Sequence, residues 1–239
     1  MTTKRFKATV IIGAALGVLV ATSGVSPAAA ARPTCFGKPA TIVGTPGDDR
    51  IRGTNQKRDV IVARRGDDLV RGLDRGDLIC GGRGNDRVLG GGPRFRDDLI
   101  RGGRGADTLR GKGGRDMILG NGGADRILGD GGKDELLGGG AGDDIWGSRP
   151  GGGANQEWQD LLRGGSGKDT LHGGNGRNLL IGGADGDSLF GDSRDDSIVG
   201  GSGNDALFGS LGDDDLNGGD GTDLCDQGPG TGLVLNCEP

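Results

Sequence analysis

Tyrosine is absent from this 239-residue chain, and histidine occurs once, as His172. Aromatics make up 3% of it and hydrophobic residues 32%, too little for a close-packed core of large side chains over this length. One histidine excludes the H-E-x-x-H zinc site, which needs two. No G-x-S-x-G elbow is present to carry a serine nucleophile. The four cysteines do not have zinc-ligand spacing. Two carboxylates in a cleft, roughly 5 to 9.5 Å apart, suffice for glycoside hydrolysis. Stacked aspartates can mimic that spacing, but nothing else points to catalysis, and an enzyme is not expected. Excess positive charge is lacking too: 29 Lys and Arg stand against 34 Asp and Glu, a net charge of −5. Binding to nucleic acid driven by global charge is thereby excluded.

What the chain has is glycine, 57 of 239 residues, several times the usual share of about 7%. Without a three-residue period this leaves low-complexity disorder, or a repeat architecture whose tight turns need glycine.

The N-terminus reads as an export signal. Lys4, Arg5 and Lys7 precede an apolar run from Ala8 to about Val20, and small residues lead to Ala28–Ala31. This is the layout of a secretory leader, with cleavage expected after Ala31. The alternative, an uncleaved anchor, is disfavoured because the run is too short for a stable span. No second apolar stretch follows, so a soluble, secreted, extracellular mature chain without a membrane span is expected. Loss of the three leader cations would move its charge from −5 to −8. The cysteines suit that compartment. They allow three pairings. Cys35–Cys80 and Cys225–Cys237 are favoured, since these would staple the two ends where a stacked structure frays.

The period is nine. From Gly44 the chain repeats G-G-x-G-x-D-x-U-x, with U apolar, cleanly in Gly81–Leu89, Gly102–Arg110 and Gly200–Phe208. Anchored on D-x-U, about nineteen units run from Gly44 to Asp226. Position six is Asp49, Asp59, Asp68, Asp77, Asp86, Asp98, Asp107, Asp116, Asp125, Asp134, Asp143, Asp160, Asp169, Asp187, Asp196, Asp205, Asp214 and Asp223, with Asn178 as the exception. The U position runs from Ile51 to Cys225 and is apolar throughout. Insertions near Asn55–Arg58, near Pro93–Arg96 and within Gly147–Gln159 all precede the D-x-U core, in the expected turn.

This nonapeptide resembles the RTX, haemolysin-type calcium-binding repeat. The resemblance covers nearly the whole mature chain. It implies an all-β, right-handed parallel β-roll with two units per coil and multiple Ca²⁺ ions between coils, held by the position-six aspartates named above. The departures are Asn178 and the missing position-four glycines, such as Arg75, Ala141 and Arg194. The layout becomes a leader over 1–31, a cap segment over 32–43, the roll over 44–226 and a second cap over 227–239. No catalytic domain of the kind that accompanies such repeats elsewhere is expected, because the repeats begin a dozen residues past the expected leader.

The residues alone give the same account. Each x-U-x segment is too short to stand alone and must bury U against neighbouring units. Strands stacked about 4.8 Å apart give a rod of roughly 45 Å over nine or ten coils. Alternate units share an edge, so Asp68, Asp86 and Asp107 line one edge and Asp77, Asp98 and Asp116 the other. Bare carboxylates in register at about 5 Å repel. A cation between coils removes that repulsion, and flexible oxygen-rich turns suit Ca²⁺ better than Mg²⁺. The competing reading of a single Asp is a turn former bonded to its own backbone. So glycine-rich a chain cannot easily offset its ordering entropy, and folding is expected to depend on the metal. Affinities in the range of extracellular modules, about 10⁻⁴ to 10⁻³ M, are expected.

Charge is uneven along the expected rod. Gly44–Leu137 holds 19 basic and 16 acidic residues, net +3; Gly138–Pro239 holds 5 and 18, net −13. The arginines of the first half, among them Arg64, Arg65, Arg83, Arg94, Arg96 and Arg104, read first as a solvated surface that partly neutralises the aspartates. The alternative is an adhesive or surface-associating module for an anionic envelope polymer, a polysaccharide or a phosphate polymer. The acidic half should need calcium more. Trp146 and Trp158 flank the longest insertion and are read as cover for a gap in the stack, or else as an aromatic contact loop. His172 has no evident partner and is read as surface. A monomer is expected.

Overall fold

A computed structural model describes residues 8–9, 31–91, 96–148 and 159–238. The expected leader, apart from Ala8–Thr9 and Ala31, lies outside the described residues. So do residues 92–95 with Arg94, and residues 149–158 with Trp158.

Among the described residues there is no helix, and the chain is a parallel β-solenoid of about ten turns. Successive strands fall alternately into two eleven-stranded sheets. The first sheet stacks Ala8–Thr9, Asp49–Arg52, Leu69–Leu73, Arg87–Gly91, Thr108–Gly113, Arg126–Gly131, Asp144–Trp146, Thr170–Gly174, Ser188–Ser193, Ala206–Leu211 and Leu224–Asp226. The second stacks Ile42–Val43, Val60–Arg65, Leu78–Arg83, Leu99–Arg104, Met117–Gly122, Glu135–Gly140, Leu161–Ser166, Leu179–Ala184, Ser197–Ser202, Asp215–Asp220 and Val234–Leu235. Register follows the repeat: Ile100 lies beside Ile79 and Ile118, and Leu189 beside Leu171 and Leu207. This register is kept across the insertions: Leu99 lies beside Leu78, and Leu161 beside Glu135.

The core is the file of U side chains. From Ile51 to Leu216 they form one buried cluster, with Cys225 packed against its end. Burying each Ile, Leu or Val contributes about 1.5–3 kcal/mol, so repetition makes up for the absence of large aromatics. The residues flanking U point outward, as strand alternation requires.

The turn that follows each strand needs a left-handed backbone. Gly84 supplies it with φ 120°, where a side chain would be strained. Arg75, Ala141 and Arg194, which lack that glycine, still adopt φ 104°, 78° and 74°. The turn therefore persists in those units, at a conformational cost on the order of 1–2 kcal/mol each.

Both ends are tied. Cys35 is bonded to Cys80, and Cys225 to Cys237. The antiparallel hairpin of Thr34–Cys35 and Lys38–Pro39 lays Cys35, Ala40 and Phe36 on the outer face of the second sheet against Val62, Leu78 and Leu99. Arg101 covers the Phe36 ring, 4.7 Å from its centroid.

Candidate metal-binding ladders

The strands place the position-six side chain where each turn enters a strand, pointing into the coil. All eighteen aspartates and Asn178 are buried, none more than 3% exposed. They form two rows, one on each edge of the solenoid. Asp68, Asp86 and Asp107 share one row and Asp77, Asp98 and Asp116 the other, as the alternation of units requires.

Within each row the two carboxylate oxygens differ. Oδ1 accepts the backbone N–H of the aspartate one coil earlier. Asp68 donates to Asp86 at 2.9 Å, Asp86 to Asp107 at 2.8 Å and Asp107 to Asp125 at 2.8 Å. On the other edge Asp77 donates to Asp98 at 2.6 Å and Asp98 to Asp116 at 2.8 Å. The aspartates thus hold neighbouring coils together. Only Asp49 and Asp59, at the N-terminal end, also close their own turns, as the single-residue reading of a turn former would have it.

Oδ2 is the opposite case. In sixteen of the eighteen aspartates it is buried and has no hydrogen-bond partner. It lies over the first glycine of its own unit: a Cβ on Gly81 would fall 2.3 Å from Oδ2 of Asp86, and one on Gly102 2.2 Å from that of Asp107. That glycine is needed because the carboxylate takes the space a side chain would fill.

The exceptions are instructive. The Oδ2 atoms of Asp49 and Asp59, at the N-terminal end, accept the N–H groups of Thr45 and Thr54. Asn178 keeps the ladder bond, accepting from the Asp160 N–H at 3.0 Å, and its Nδ2 turns to the Gly176 carbonyl. At the other end the Glu238 carboxylate accepts the Asp223 N–H and stands in for one more aspartate.

Burial without a partner for Oδ2 disfavours the charged form. It pushes Asp98 and Asp134 up to about 8 and Asp196 up to about 9 from an ordinary 3.8, with neighbouring carboxylates adding to the shift. Asp68, Asp77, Asp86, Asp107, Asp143, Asp160 and Asp187 rise to about 7 for the same leading reason. Asp116, Asp125 and Asp169 rise to about 6. In each case the ladder hydrogen bond opposes the rise and does not cancel it.

A family model for the RTX calcium-binding nonapeptide repeat matches residues 41–57, 54–88, 96–118, 119–149, 159–189 and 190–225. The chain belongs to the RTX repeat family. No curated protein matches the chain.

The RTX repeat is a calcium-binding motif, and the ladder has the chemistry for that ion. The free atoms are carboxylate oxygens, hard donors in rows one coil apart. Among the described residues no three His, Cys, Asp or Glu side chains converge on one point. An ion held here therefore draws on few carboxylates and completes its shell with backbone oxygens.

The sequence pattern missed two features. At position five, Asp67 donates its N–H to Asp48 Oδ1 at 2.9 Å, and Asn85 donates to Asp67 Oδ1 at 2.8 Å, a shorter, exposed ladder beside the first. The signal was the recurrence of Asp or Asn just before the position-six aspartate. His172, read as surface without partners, is instead half-buried in a ring stack on the outer face of the first sheet. It lies 3.8 Å from Trp146 and 4.6 Å from Phe190, and Phe190 lies 5.0 Å from Phe208. Its Nδ1 is 3.6 Å from Asp192 Oδ2. All four rings occupy position nine of alternate units, which stacking brings into one file. Trp146 is therefore a strand residue in that file.

Proposed function

We propose that this RTX chain is an exported calcium-binding protein whose sixteen unpartnered aspartate Oδ2 atoms, with turn carbonyls, hold multiple Ca²⁺ ions between coils, and that the chain folds as it binds them. The observation that carries the reading is the pair of Oδ2 rows, buried, unpartnered and charged at neutral pH only at a cost. A buried oxygen acceptor without a partner costs about 1–3 kcal/mol, more when ionised, and a cation shared by neighbouring coils offsets this at every step. Bound calcium supplies positive charge and flexible oxygen coordination; the chain supplies the rows and their spacing. Asp49 and Asp59 are the weakest members of the ligand set, since Thr45 and Thr54 already engage their Oδ2 atoms. The reading has the protein outside the cell, as a monomer without catalytic activity. No helix among the described residues is long and apolar enough to cross a membrane. Equilibrium dialysis against ⁴⁵Ca²⁺ at neutral pH tests it. Several ions per chain, with dissociation constants around 10⁻⁴ to 10⁻³ M and little displacement by Mg²⁺, are expected. One ion or none, or displacement by equal Mg²⁺, would contradict it.

A second reading, that the arginine-rich first half holds an anionic envelope polymer, draws on arginines along one edge that have no carboxylate partner among the described residues.

A further inference from the structure

The turn edge between the end of each second-sheet strand and the start of the next first-sheet strand carries its own register. Arg65 lies beside Arg83 and Arg83 beside Arg104, in three consecutive strands. Further along, the same row continues as Gly122, Gly140, Ser166, Ala184, Ser202 and Asp220. The cations are thus confined to the first three places. Arg64, one residue earlier, is exposed as well, with its backbone at φ 89°. Arg64, Arg65 and Arg83, with Pro46 and Gly82, line a groove of about 470 Å³.

Like charges side by side at about 4.8 Å repel one another, as the aspartates do on the inside. Three arginines elsewhere are neutralised: Arg126 pairs with Asp144 at 2.9 Å, Arg177 with Asp195 at 2.8 Å, and Arg110 with Asp130. Among the described residues none of the four edge arginines has a carboxylate partner. The nearby acids of this edge, Asp48 and Asp67, each accept a backbone N–H on Oδ1, and among the described residues neither pairs with these arginines.

We propose that Arg64, Arg65, Arg83 and Arg104 form a binding comb for a linear polyphosphate, a chain of phosphates joined by anhydride oxygens. This rests on the second reading above and narrows it. Four guanidiniums fall within about 10 Å of solenoid axis, roughly one positive charge for each few ångströms of ligand. A polyphosphate carries one negative charge per link, and its links are one bridging oxygen long. A phosphodiester-linked glycan spaces its charges further apart, and a polyuronate carries one carboxylate for each whole sugar. All four positions are arginine, none lysine, and the planar guanidinium fork matches phosphate oxygens two at a time.

Fluorescence anisotropy with an end-labelled linear polyphosphate tests the site on the intact protein, at fixed ionic strength and with free Ca²⁺ buffered, since polyphosphate also sequesters calcium. The triple variant R65S/R83S/R104S is expected to bind at least about tenfold more weakly. R50S/R52S/R71S removes the same charge from the outer face of the first sheet and is expected to change affinity less than about threefold. The single Arg83→Ser variant, the least perturbing, is expected to lose about threefold. Far-UV circular dichroism in calcium confirms that each variant is folded. Equal losses in both triple variants, or none in the edge triple and Arg83→Ser, would overturn the comb. Tighter binding of a polyuronate at matched charge would overturn the phosphate assignment while leaving the broader anionic-polymer reading in place. Failure to bind any of these polyanions would remove both.

Discussion

Each ladder aspartate has two tasks, divided between its oxygens. Oδ1 joins the coils through a hydrogen bond to backbone, and in all but Asp49 and Asp59 Oδ2 faces the turn with nothing to satisfy it. Substitution separates the two. Asp107→Asn keeps the Oδ1 acceptor and removes the charge, as Asn178 does naturally. Asp107→Ala removes both and strands the Asp86 N–H. In calcium-free buffer near pH 5, where burial keeps the ladder carboxyls protonated, urea unfolding should find Asp107→Asn close to the unaltered protein in stability, and Asp107→Ala about 1–3 kcal/mol less stable. With saturating calcium both should fall below the unaltered protein, because each loses a ligand. The aspartates themselves were legible in the sequence, since a residue type fixed every nine positions has a fixed environment. The Oδ1 bond was not, because its donor lies 18 to 26 residues away and is found only once the coil register is known.

At the scale of the coil, strand and turn follow directly from the repeat: U is buried, its neighbours point out, and insertions fall where no strand pairing is disturbed. The aromatic file was harder to see. His172 follows Trp146 by 26 residues, and only removal of the eight-residue insertion puts both rings in the same place on successive coils. The coil also sets a pH dependence. With Asp98, Asp134 and their neighbours raised to about 6–9, the folded calcium-free chain binds more protons than the unfolded one above the ordinary carboxyl value. Stability from the protonated ladders is therefore complete at low pH and is lost as pH rises through about 6 to 9. In EDTA a thermal unfolding transition is expected at pH 5 and not at pH 8, and calcium at pH 8 should restore it. A higher midpoint at pH 8 in EDTA would mean that the buried carboxylates find another source of neutralisation.

Over the whole molecule the solenoid is polar from end to end. Its first half carries a small positive excess and its second half a net charge of −13. Position-six carboxylates occur in both halves, so the surface arginines account for much of the difference, and the second half has fewer internal counter-charges. It should therefore be the last part to fold in a calcium titration. Each end carries a disulfide, closing 45 and 12 residues of sequence, and each restricts the fraying to which a stacked array is prone. Fold class and ladder positions were open to the sequence because stacking repeats one local solution. The partners of single side chains depend on which coils lie next to each other, and that the sequence pattern did not display. The central claim is that cations in the Oδ2 rows complete the fold. It is tested most directly by far-UV circular dichroism of the purified protein in EDTA, followed through a Ca²⁺ titration with Mg²⁺ as the comparison. The account predicts a coil-like spectrum that converts cooperatively to β structure with Ca²⁺ and not with Mg²⁺. A β spectrum already complete in EDTA at neutral pH and unchanged by calcium would contradict it, and would leave the aspartates as coil-to-coil hydrogen-bond acceptors alone.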